Sequence, residues 1–191
     1  MEYPPLEKYV GIDCETVSVR GGSALAKVAI IDYKGEVLLL SHVWVHPKNV
    51  VSWVTNITGL KPGDLDGAPT FEQIQPKIEA VLEGKIIIGH AVFNDLAAIQ
   101  HQHPYEDVRD TALYYPLRKL MGIDREGELP SLKKMTAKVL GKEIQGGVHD
   151  PIEDAKASID IFLTVREEYE TLLAKGGEIS GMPPSYAKWY W

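Results

Sequence analysis

Two carboxylates lie one residue apart in an apolar run near the start of the chain. Asp13 and Glu15 follow the segment Tyr9-Val10-Gly11-Ile12, and Cys14 separates them. Because side chains alternate along a β-strand, the two acids are predicted to share one face and Cys14 to lie on the other. Two acids held this close repel each other unless a cation lies between them. Oxygen ligands suit Mg²⁺ or Mn²⁺, whereas the alternative interpretation is an exposed strand with two solvated acids.

A third acid, Asp95, follows Asn94 shortly after the apolar run Ile86-Ile87-Ile88-Gly89. Such a run is typical of a central strand that is buried on both faces. In α/β sheets, functional side chains collect at the carboxyl ends of strands. Asp95 is therefore predicted to point from a helix N-terminus toward the mouth of the fold. An ordinary helix cap is the alternative interpretation.

The segment from His149 to Asp154 has the pattern of a helix start. Asp150 is predicted to be the N-cap, with Pro151 at the first helical position and Glu153 at the third. His149 then lies on the loop before the helix, and Asp154 lies one turn inside it. A mobile histidine beside a rigidly held acid suits a general base next to a metal ligand. A surface histidine is the alternative.

The elements that would position these residues predict an α/β fold with a mixed sheet flanked by helices. Strands are predicted over 8–15, 24–33 and 37–45, joined by short turns as an antiparallel meander. Residues 47–69 are predicted to be irregular. Further strands are predicted over 85–89 and 107–110. Helices are predicted from Thr70 to Gly84, over 95–100, after Thr111 with an interruption at Pro116, from Pro130 to Leu140, and from after His149 to about Leu173.

Composition fits one globular domain. The chain has 191 residues, of which 45% are hydrophobic and 25% are charged. Cys14 is the only cysteine, which excludes an internal disulfide and favours a reducing, intracellular setting. The net charge of −7 argues against a protein that coats nucleic acid nonspecifically. It does not exclude a nuclease, because bound metals would offset clustered site acids. No membrane-spanning segment or signal peptide is predicted.

In order and spacing, these motifs resemble those of the DEDDh 3′→5′ exonucleases, which have a ribonuclease-H-like fold. The resemblance rests on Asp13-x-Glu15, on Asn94-Asp95 after Gly89-His90, and on His149-x-x-x-x-Asp154, and it covers about residues 8–170. Shorter segments are similar to the Rex-type RNA exonuclease branch, which includes ribosomal-RNA-processing and interferon-induced enzymes. These segments are Gly11–Glu15, Gly89–Leu96, Val108–Thr111 and Ser131–Lys133.

The resemblance implies a two-metal mechanism. Asp13, Glu15, Asp95 and Asp154 would bind two Mg²⁺ ions, with Mn²⁺ able to substitute, and His149 would be the general base. The expected reaction releases nucleoside 5′-monophosphates from the 3′ end of single-stranded RNA. A DNA 3′→5′ exonuclease and a non-catalytic nucleic-acid-binding domain are the alternatives.

Substrate contacts are also implied by the resemblance. Backbone groups of Thr16 and Val17 would contact the terminal sugar, Leu60 would wedge against the last base, and Phe93 would line the same pocket. The alternatives are a loop anchor for Leu60 and a core aromatic for Phe93. Thr16 stands where the Rex-type branch often has Met, and Asn56 where it often has Arg. The preference for RNA over DNA therefore stays open.

The predicted organisation has three parts: an N-terminal extension over 1–7, the exonuclease domain over 8–175 and a tail over 176–191. The aromatic residues of the tail are expected to pack back on the domain. Phosphate contacts are considered for Arg109, Lys133, Lys134 and Lys138, with solvated charges as the alternative. A monomer is favoured, and the protein partners are unknown. The resemblance implies a nuclear or nucleolar location, with the cytoplasm as the alternative.

Overall fold

A mixed sheet runs through the centre of the computed structural model, which describes residues 3–177, 179–181 and 185–191. The strands are β1 Tyr9–Val19, β2 Gly22–Asp32, β3 Val37–His42, β4 Val50–Ser52, β5 Ile86–Gly89 and β6 Val108–Asp110. They are ordered β3-β2-β1-β5-β6, and β4 pairs with β1. The first three strands form an antiparallel meander, while β5 and β6 run parallel to β1. The predicted mixed sheet is therefore confirmed.

Strand β1 is longer than the sequence predicted. It continues to Val19 because its pairing with β2 extends to the tight turn at Gly21, where φ is +86°. The register of this pairing shifts between Glu15 and Thr16, as in a β-bulge. Asp13 and Glu15 both precede this irregularity, so the simple alternation of side chains holds for them.

The helices surround the sheet on both faces. The α-helices of the described residues are α1 Thr55–Thr58, α2 Phe71–Leu82, α3 Val92–Ile99, α4 Tyr115–Leu120, α5 Leu132–Leu140 and α6 Pro151–Ala174. Short 3-10 turns lie at Leu6–Lys8, Pro47–Asn49, Tyr105–Asp107 and Ala187–Trp189. None of the helices within these described ranges is both long and apolar enough to cross a lipid bilayer.

Helix ends that carry strong local signals lie where the sequence predicted them. Thr70 and Gln73 form the reciprocal capping box of α2. The helix α5 ends at Gly141, whose φ of +65° suits a glycine after a helix. Asp150 caps α6 through its side chain, which accepts a hydrogen bond from the Ile152 N–H at 3.0 Å.

Three predictions about the elements were wrong. Helix α3 begins at Val92 instead of Asp95, because Ala91 takes a left-handed conformation that starts the helix early. Pro116 lies in the first turn of α4 and opens this helix without interrupting it, since a proline there lacks only an N–H that needs no partner. The segment 47–69 contains α1 and β4, which are too short to leave a periodic pattern.

Two apolar layers hold the helices on the sheet. On one face, α6 places Ile159 and Phe162 against Tyr9 and Ile31. On the other face, α2 and α3 pack against β1 and β2, with a buried cluster that includes Ile12, Val28, Ile78 and Leu96. Cys14 packs against this second cluster, as the alternation along β1 predicted. Asp13 and Glu15 consequently face α6.

Gly11 sets the close approach of β1 to α6. A Cβ atom at this position would lie 2.7 Å from Ile159 Cδ1 and 3.1 Å from the Ala155 carbonyl oxygen. Contacts this short require one side of the interface to shift. The absence of a side chain at Gly11 therefore allows Asp13 and Glu15 to reach the first turn of α6.

Replacing Gly11 with alanine is expected to lower the free energy of unfolding by about 1–3 kcal/mol, the usual cost of overpacking a core. Gly22→Ala is the matched control, because no atom of the described residues lies within 4 Å of a Cβ built there. Chemical denaturation of both variants measures the difference. Equal stability of the two variants would contradict the packing argument.

Arg109 joins β6 to α6 in the core. Its Nε donates to Glu170 Oε1 at 2.7 Å and its Nη2 donates to Glu170 Oε2 at 2.9 Å. The Tyr9 hydroxyl donates to the same carboxylate at 2.8 Å. Arg109 is only 2% exposed, so the suggestion that it contacts phosphate was wrong. The sequence alone did not predict that Arg109 forms an ion pair with the buried Glu170 on α6.

The C-terminal segment, here residues 185–191, contacts the domain at several points. The Tyr186 ring stacks on Phe93 with 3.6 Å between the centroids. The Gln102 side chain donates to the Lys188 carbonyl at 2.7 Å. Met182, part of the predicted tail, lies outside the described residues, as do Met1 and Glu2 of the predicted extension. The division of the chain into these three parts stays a prediction.

Candidate active site

The predicted acids come from three separate parts of the fold. Asp13 and Glu15 lie in the middle of β1, Asp95 lies in the first turn of α3, and Asp154 lies in the first turn of α6. The helix α3 follows β5, which runs parallel to β1, so its N-terminus emerges near the middle of β1. We refer to these four acids together with His149 as the acidic site.

Glu15, His149 and Asp154 converge closely. Each offers one ligand atom, and the three atoms all lie within 4.8 Å of one another. His149 Nδ1 is 3.5 Å from Asp154 Oδ2. The histidine side chain is 30% exposed and the aspartate side chain 3%, so the histidine is open to solvent while the acid is buried. The roles of these residues in binding and catalysis stay predictions.

Electrostatics show that negative charge is concentrated at this point. Burial raises the pKa of Asp13 well above its usual value, and the charges of Asp95, Asp154 and Glu15 raise it further. Burial, followed by the charge of Asp154, raises the pKa of Glu15 to about 7 against the opposing effect of Lys27. Four carboxyl groups with raised pKa values at one place favour the binding of a cation.

The donor set fits a hard divalent metal ion. Asp154 Oδ1 is buried and, among the described residues, has no hydrogen-bond partner. Such an atom has lost its hydration without compensation, which is costly unless another group binds there. Carboxylate oxygens are the ligands that Mg²⁺ and Mn²⁺ prefer. The residues present therefore fit the expected metal, with Asp154 as its best-supported ligand.

The loop that carries His149 is anchored by the short helix α1. The His149 N–H donates to the Ile57 carbonyl at 2.8 Å. Val148 packs on Gly59, where an added Cβ would lie 2.6 Å from Val148 Cγ1. These contacts use the backbone of His149 and leave its ring directed at Asp154. The irregular segment 47–69 thus positions the candidate base.

Gln145 is a site residue that no sequence motif predicted. Its Nε2 donates to Asp154 Oδ2 at 2.8 Å, so this oxygen is shared between Gln145 and His149. Its backbone takes a left-handed φ of +53°, and its N–H donates to Glu153 Oε2 at 3.1 Å. A loop glutamine nine residues before an acid belongs to no motif or periodic pattern, so the sequence contained no signal for it.

Asp110 holds the start of α3, and through it Asp95. Its Oδ1 accepts the Ala91 N–H at 3.0 Å and the Ala112 N–H at 2.8 Å, and its Oδ2 accepts the Val92 N–H at 2.8 Å. Burial nevertheless raises the pKa of Asp110 to about 6. This side chain stabilises the left-handed residue Ala91 and fixes the direction in which α3 leaves the sheet.

The predicted substrate contacts have different surroundings. Thr16 is half-buried beside the bulge in β1. Val17 and Leu60 are buried in one apolar cluster with Leu65. Phe93 is 5% exposed, and Tyr186 stacks on one face of its ring. Their contacts with a nucleotide stay predictions.

The family model described as "Exonuclease" (RNase_T) matches residues 10–162. The chain is 41% identical over 169 residues to RNA exonuclease 4 of Kluyveromyces lactis, covering 86% of this chain and 56% of the relative. It is 40% identical over 168 residues to RNA exonuclease 4 of Saccharomyces cerevisiae, covering 86% and 57%. The chain therefore spans a little over half the length of these curated relatives.

Solved structures with the same fold include nuclease modules of Pan2. The Saccharomyces cerevisiae Pan2 pseudoubiquitin hydrolase–RNA exonuclease module in complex with A7 RNA has a TM-score of 0.70 at 26% identity, covering 92% of this chain and 31% of that one. The Neurospora crassa Pan2 catalytic unit has a TM-score of 0.69 at 23% identity, covering 92% and 29%. The second match is a likeness of fold alone.

Proposed function

Because the chain belongs to the RNase_T exonuclease family, we propose that it hydrolyses single-stranded RNA from the 3′ end and releases nucleoside 5′-monophosphates. The observation that carries the proposal is the convergence of Glu15, His149 and Asp154, whose ligand atoms lie within 4.8 Å of one another. Asp154 also has a buried Oδ1 that finds no hydrogen-bond partner among the described residues. The names of the RNA exonuclease 4 relatives and the Pan2 module with bound RNA support RNA as the substrate.

Two expectations from the resemblance are confirmed. The likeness to the Pan2 nuclease modules confirms the ribonuclease-H-like fold. The relatives named RNA exonuclease 4 confirm that the chain is of the Rex type. Both findings concern the family and the fold, and the activity of this chain is the proposal.

The proposed chemistry uses the acidic site as a whole. Asp13, Glu15, Asp95 and Asp154 would hold two Mg²⁺ ions, with Mn²⁺ as a substitute. Bound Mg²⁺ supplies Lewis-acid stabilisation of the negative charge that develops on the phosphate. His149 accepts the proton of the attacking water as the water oxygen bonds to phosphorus and the bond to the 3′ oxygen breaks. The departing 3′ oxygen takes a proton from solvent and becomes the 3′ hydroxyl of the shortened RNA. Asp154 orients the imidazole and stabilises its protonated form, since the two side chains lie 3.5 Å apart.

The proposed substrate contacts lie around the carboxyl half of β1. Backbone groups of Thr16 and Val17 would bind the terminal sugar, with Leu60 and Phe93 near the last base. Leu60 packs with Val17, so the loop after α1 and the end of β1 would act together on the terminal nucleotide. The face of Phe93 that Tyr186 covers is not available to a base.

Digestion of end-labelled oligonucleotides tests the proposal. Single-stranded RNA and DNA of one sequence, labelled at either end, are incubated with Mg²⁺ or with EDTA. With Mg²⁺, 5′-labelled RNA is expected to shorten stepwise, and 3′-labelled RNA to release labelled mononucleotide at once. Faster digestion of DNA would favour the DNA exonuclease, which the threonine at position 16 keeps open. No digestion of either polymer with Mg²⁺ or Mn²⁺ would overturn both enzyme proposals.

Mg²⁺ is expected to raise the melting temperature more at about pH 8 than at about pH 5.5. The metal-free folded protein holds extra protons, because the pKa of Glu15 is raised to about 7. Its stability therefore falls as pH rises from the pKa of an unfolded glutamate toward about 7. The carboxylates bind a cation most strongly once they have lost these protons. Scanning calorimetry at both pH values measures the change in melting temperature that Mg²⁺ causes. An equal change at both values would show that the cation binds outside the acidic site.

A further inference from the structure

A second group of potential ligands lies at the opposite end of β5 from the acidic site. His101 and His103 follow α3 and are here called the histidine pair. His101 Nε2 and His103 Nδ1 face each other at 3.0 Å. His103 is buried, and the His101 side chain is 14% exposed. The proposed exonuclease mechanism uses neither residue.

The outer nitrogens of the histidine pair have acceptors as partners. His103 Nε2 lies 3.0 Å from the Lys85 carbonyl oxygen, which can only accept, so this nitrogen carries a hydrogen. His101 Nδ1 lies 3.0 Å from Glu79 Oε1, and an ionised carboxylate likewise only accepts. Both imidazoles therefore use their outer N–H groups as donors.

The facing nitrogens are left with a lone pair each when both rings are neutral. Two lone pairs at 3.0 Å repel each other, so the arrangement requires one cation between them, either an added proton or a metal ion. Ligating histidines usually donate their other ring N–H to a carboxylate or a backbone carbonyl. Glu79 and the Lys85 carbonyl are partners of these two kinds.

The spacing of the facing nitrogens fits two ligands of one transition metal ion. With metal–nitrogen bonds of about 2.0–2.1 Å, a separation of 3.0 Å corresponds to an angle of about 91–97° at the metal. That angle is found between adjacent ligands of tetragonal Ni²⁺ and Cu²⁺ sites. Burial lowers the pKa of His103, which favours the neutral ring that binds metals.

We propose that His101 Nε2 and His103 Nδ1 bind a divalent transition metal ion, Ni²⁺ or Cu²⁺, at a site separate from the acidic site. The remaining coordination positions would open into a cleft of about 520 Å³ beside the pair. Its lining includes the acids Glu79, Glu83 and Asp107 and the base Lys85, so its charge favours a cation.

The ion would also stabilise the C-terminal segment. The His103 N–H donates to the Trp189 carbonyl at 3.0 Å, and the Trp191 N–H donates to the His103 carbonyl at 3.2 Å. Fixing the His103 ring therefore fixes the backbone to which this segment is bound. Metal binding is expected to slow proteolytic removal of the residues around Trp189.

Calorimetric titration with Ni²⁺ tests the site in an Asp13→Ala/Asp154→Ala variant of the 191-residue chain, in which the acidic site is disabled. One ion per chain is expected. Adding His101→Ala should weaken binding at least about tenfold, and adding Glu79→Ala, which removes the outer partner, should weaken it about tenfold to a hundredfold. His42→Ala, at an exposed histidine on β3, is the matched control and should change nothing.

Titration with Cu²⁺ and electron paramagnetic resonance gives a second readout. Hyperfine splitting from two imidazole nitrogens is expected, and it should be lost with His101→Ala but not with His42→Ala. Circular dichroism checks that each variant is folded. Absence of Ni²⁺ binding, or equal binding by the His101→Ala and His42→Ala variants, would overturn the proposal and leave the pair as a proton-sharing hydrogen bond. Neither result bears on exonuclease activity.

Discussion

Asp154→Asn is expected to reduce the rate of RNA hydrolysis by about 10³-fold or more, while the protein remains folded. A metal acting as a Lewis acid contributes several kcal/mol of transition-state stabilisation, and each 1.36 kcal/mol corresponds to a factor of ten in rate. Asp154 presents a buried Oδ1 that has no hydrogen-bond partner within the described part of the chain, and an Oδ2 that is shared by Gln145 and His149. Asparagine keeps the shape of the side chain but lacks the charge that binds the metal.

The stability of this variant separates a catalytic effect from a folding defect. Burial raises the pKa of Asp154, so removing its charge relieves a cost in the metal-free protein. Without metal, Asp154→Asn is therefore expected to be at least as stable as the parent at about pH 8. Asp160→Asn is the matched control, because Asp160 lies on the same helix and pairs with Lys142 and Lys156. Retention of more than about a tenth of the parent rate by Asp154→Asn would contradict its role as a metal ligand.

His149→Ala is expected to reduce turnover by about 10²–10⁴-fold, the usual contribution of a general base, while metal binding survives. The backbone N–H of this residue anchors the loop on the Ile57 carbonyl, and alanine keeps that bond. The substitution therefore removes the imidazole without releasing the loop. Single-turnover rates on 5′-labelled RNA with saturating Mg²⁺ measure the effect.

Metal titration calorimetry distinguishes the two roles that the geometry allows for His149. Its ring lies within 4.8 Å of the ligand atoms of Glu15 and Asp154, so it is close enough to bind a metal itself. Loss of Mg²⁺ binding in His149→Ala would show a ligand and count against the general base. His46→Ala, at an exposed histidine near the start of β4, should leave both binding and rate unchanged.

Local sequence signals predicted a large part of the fold. Caps and glycines marked the ends of α2, α5 and α6, because the unpaired backbone groups at helix ends need particular side chains or conformations nearby. The apolar run at β5 predicted a central strand. The helix α1 and strand β4 were missed, since elements of three or four residues have no periodic pattern and depend on contacts with β1 and the loop of His149.

The sequence predicted one part of the acidic site, and tertiary packing determined the rest. Alternation along β1 determined that Asp13 and Glu15 share a face and that Cys14 takes the other, because this geometry depends only on neighbouring residues. The order of the motifs along the chain also identified the family. Both features depend only on neighbouring residues or on the order of residues along the chain, so the sequence alone was enough to predict them.

Tertiary packing determined the contacts that the order of residues along the chain does not predict. It brought Glu15, His149 and Asp154 within 4.8 Å, although 134 residues separate Glu15 from His149. It buried Arg109 against Glu170, directed Gln145 to Asp154 and stacked Tyr186 on Phe93. Each of these contacts joins elements that are distant in sequence, so it depends on how helices and loops pack on the sheet. The paired carboxylates of β1 were predicted by the sequence, but only the packing of α6 on Gly11 places Asp154 beside them.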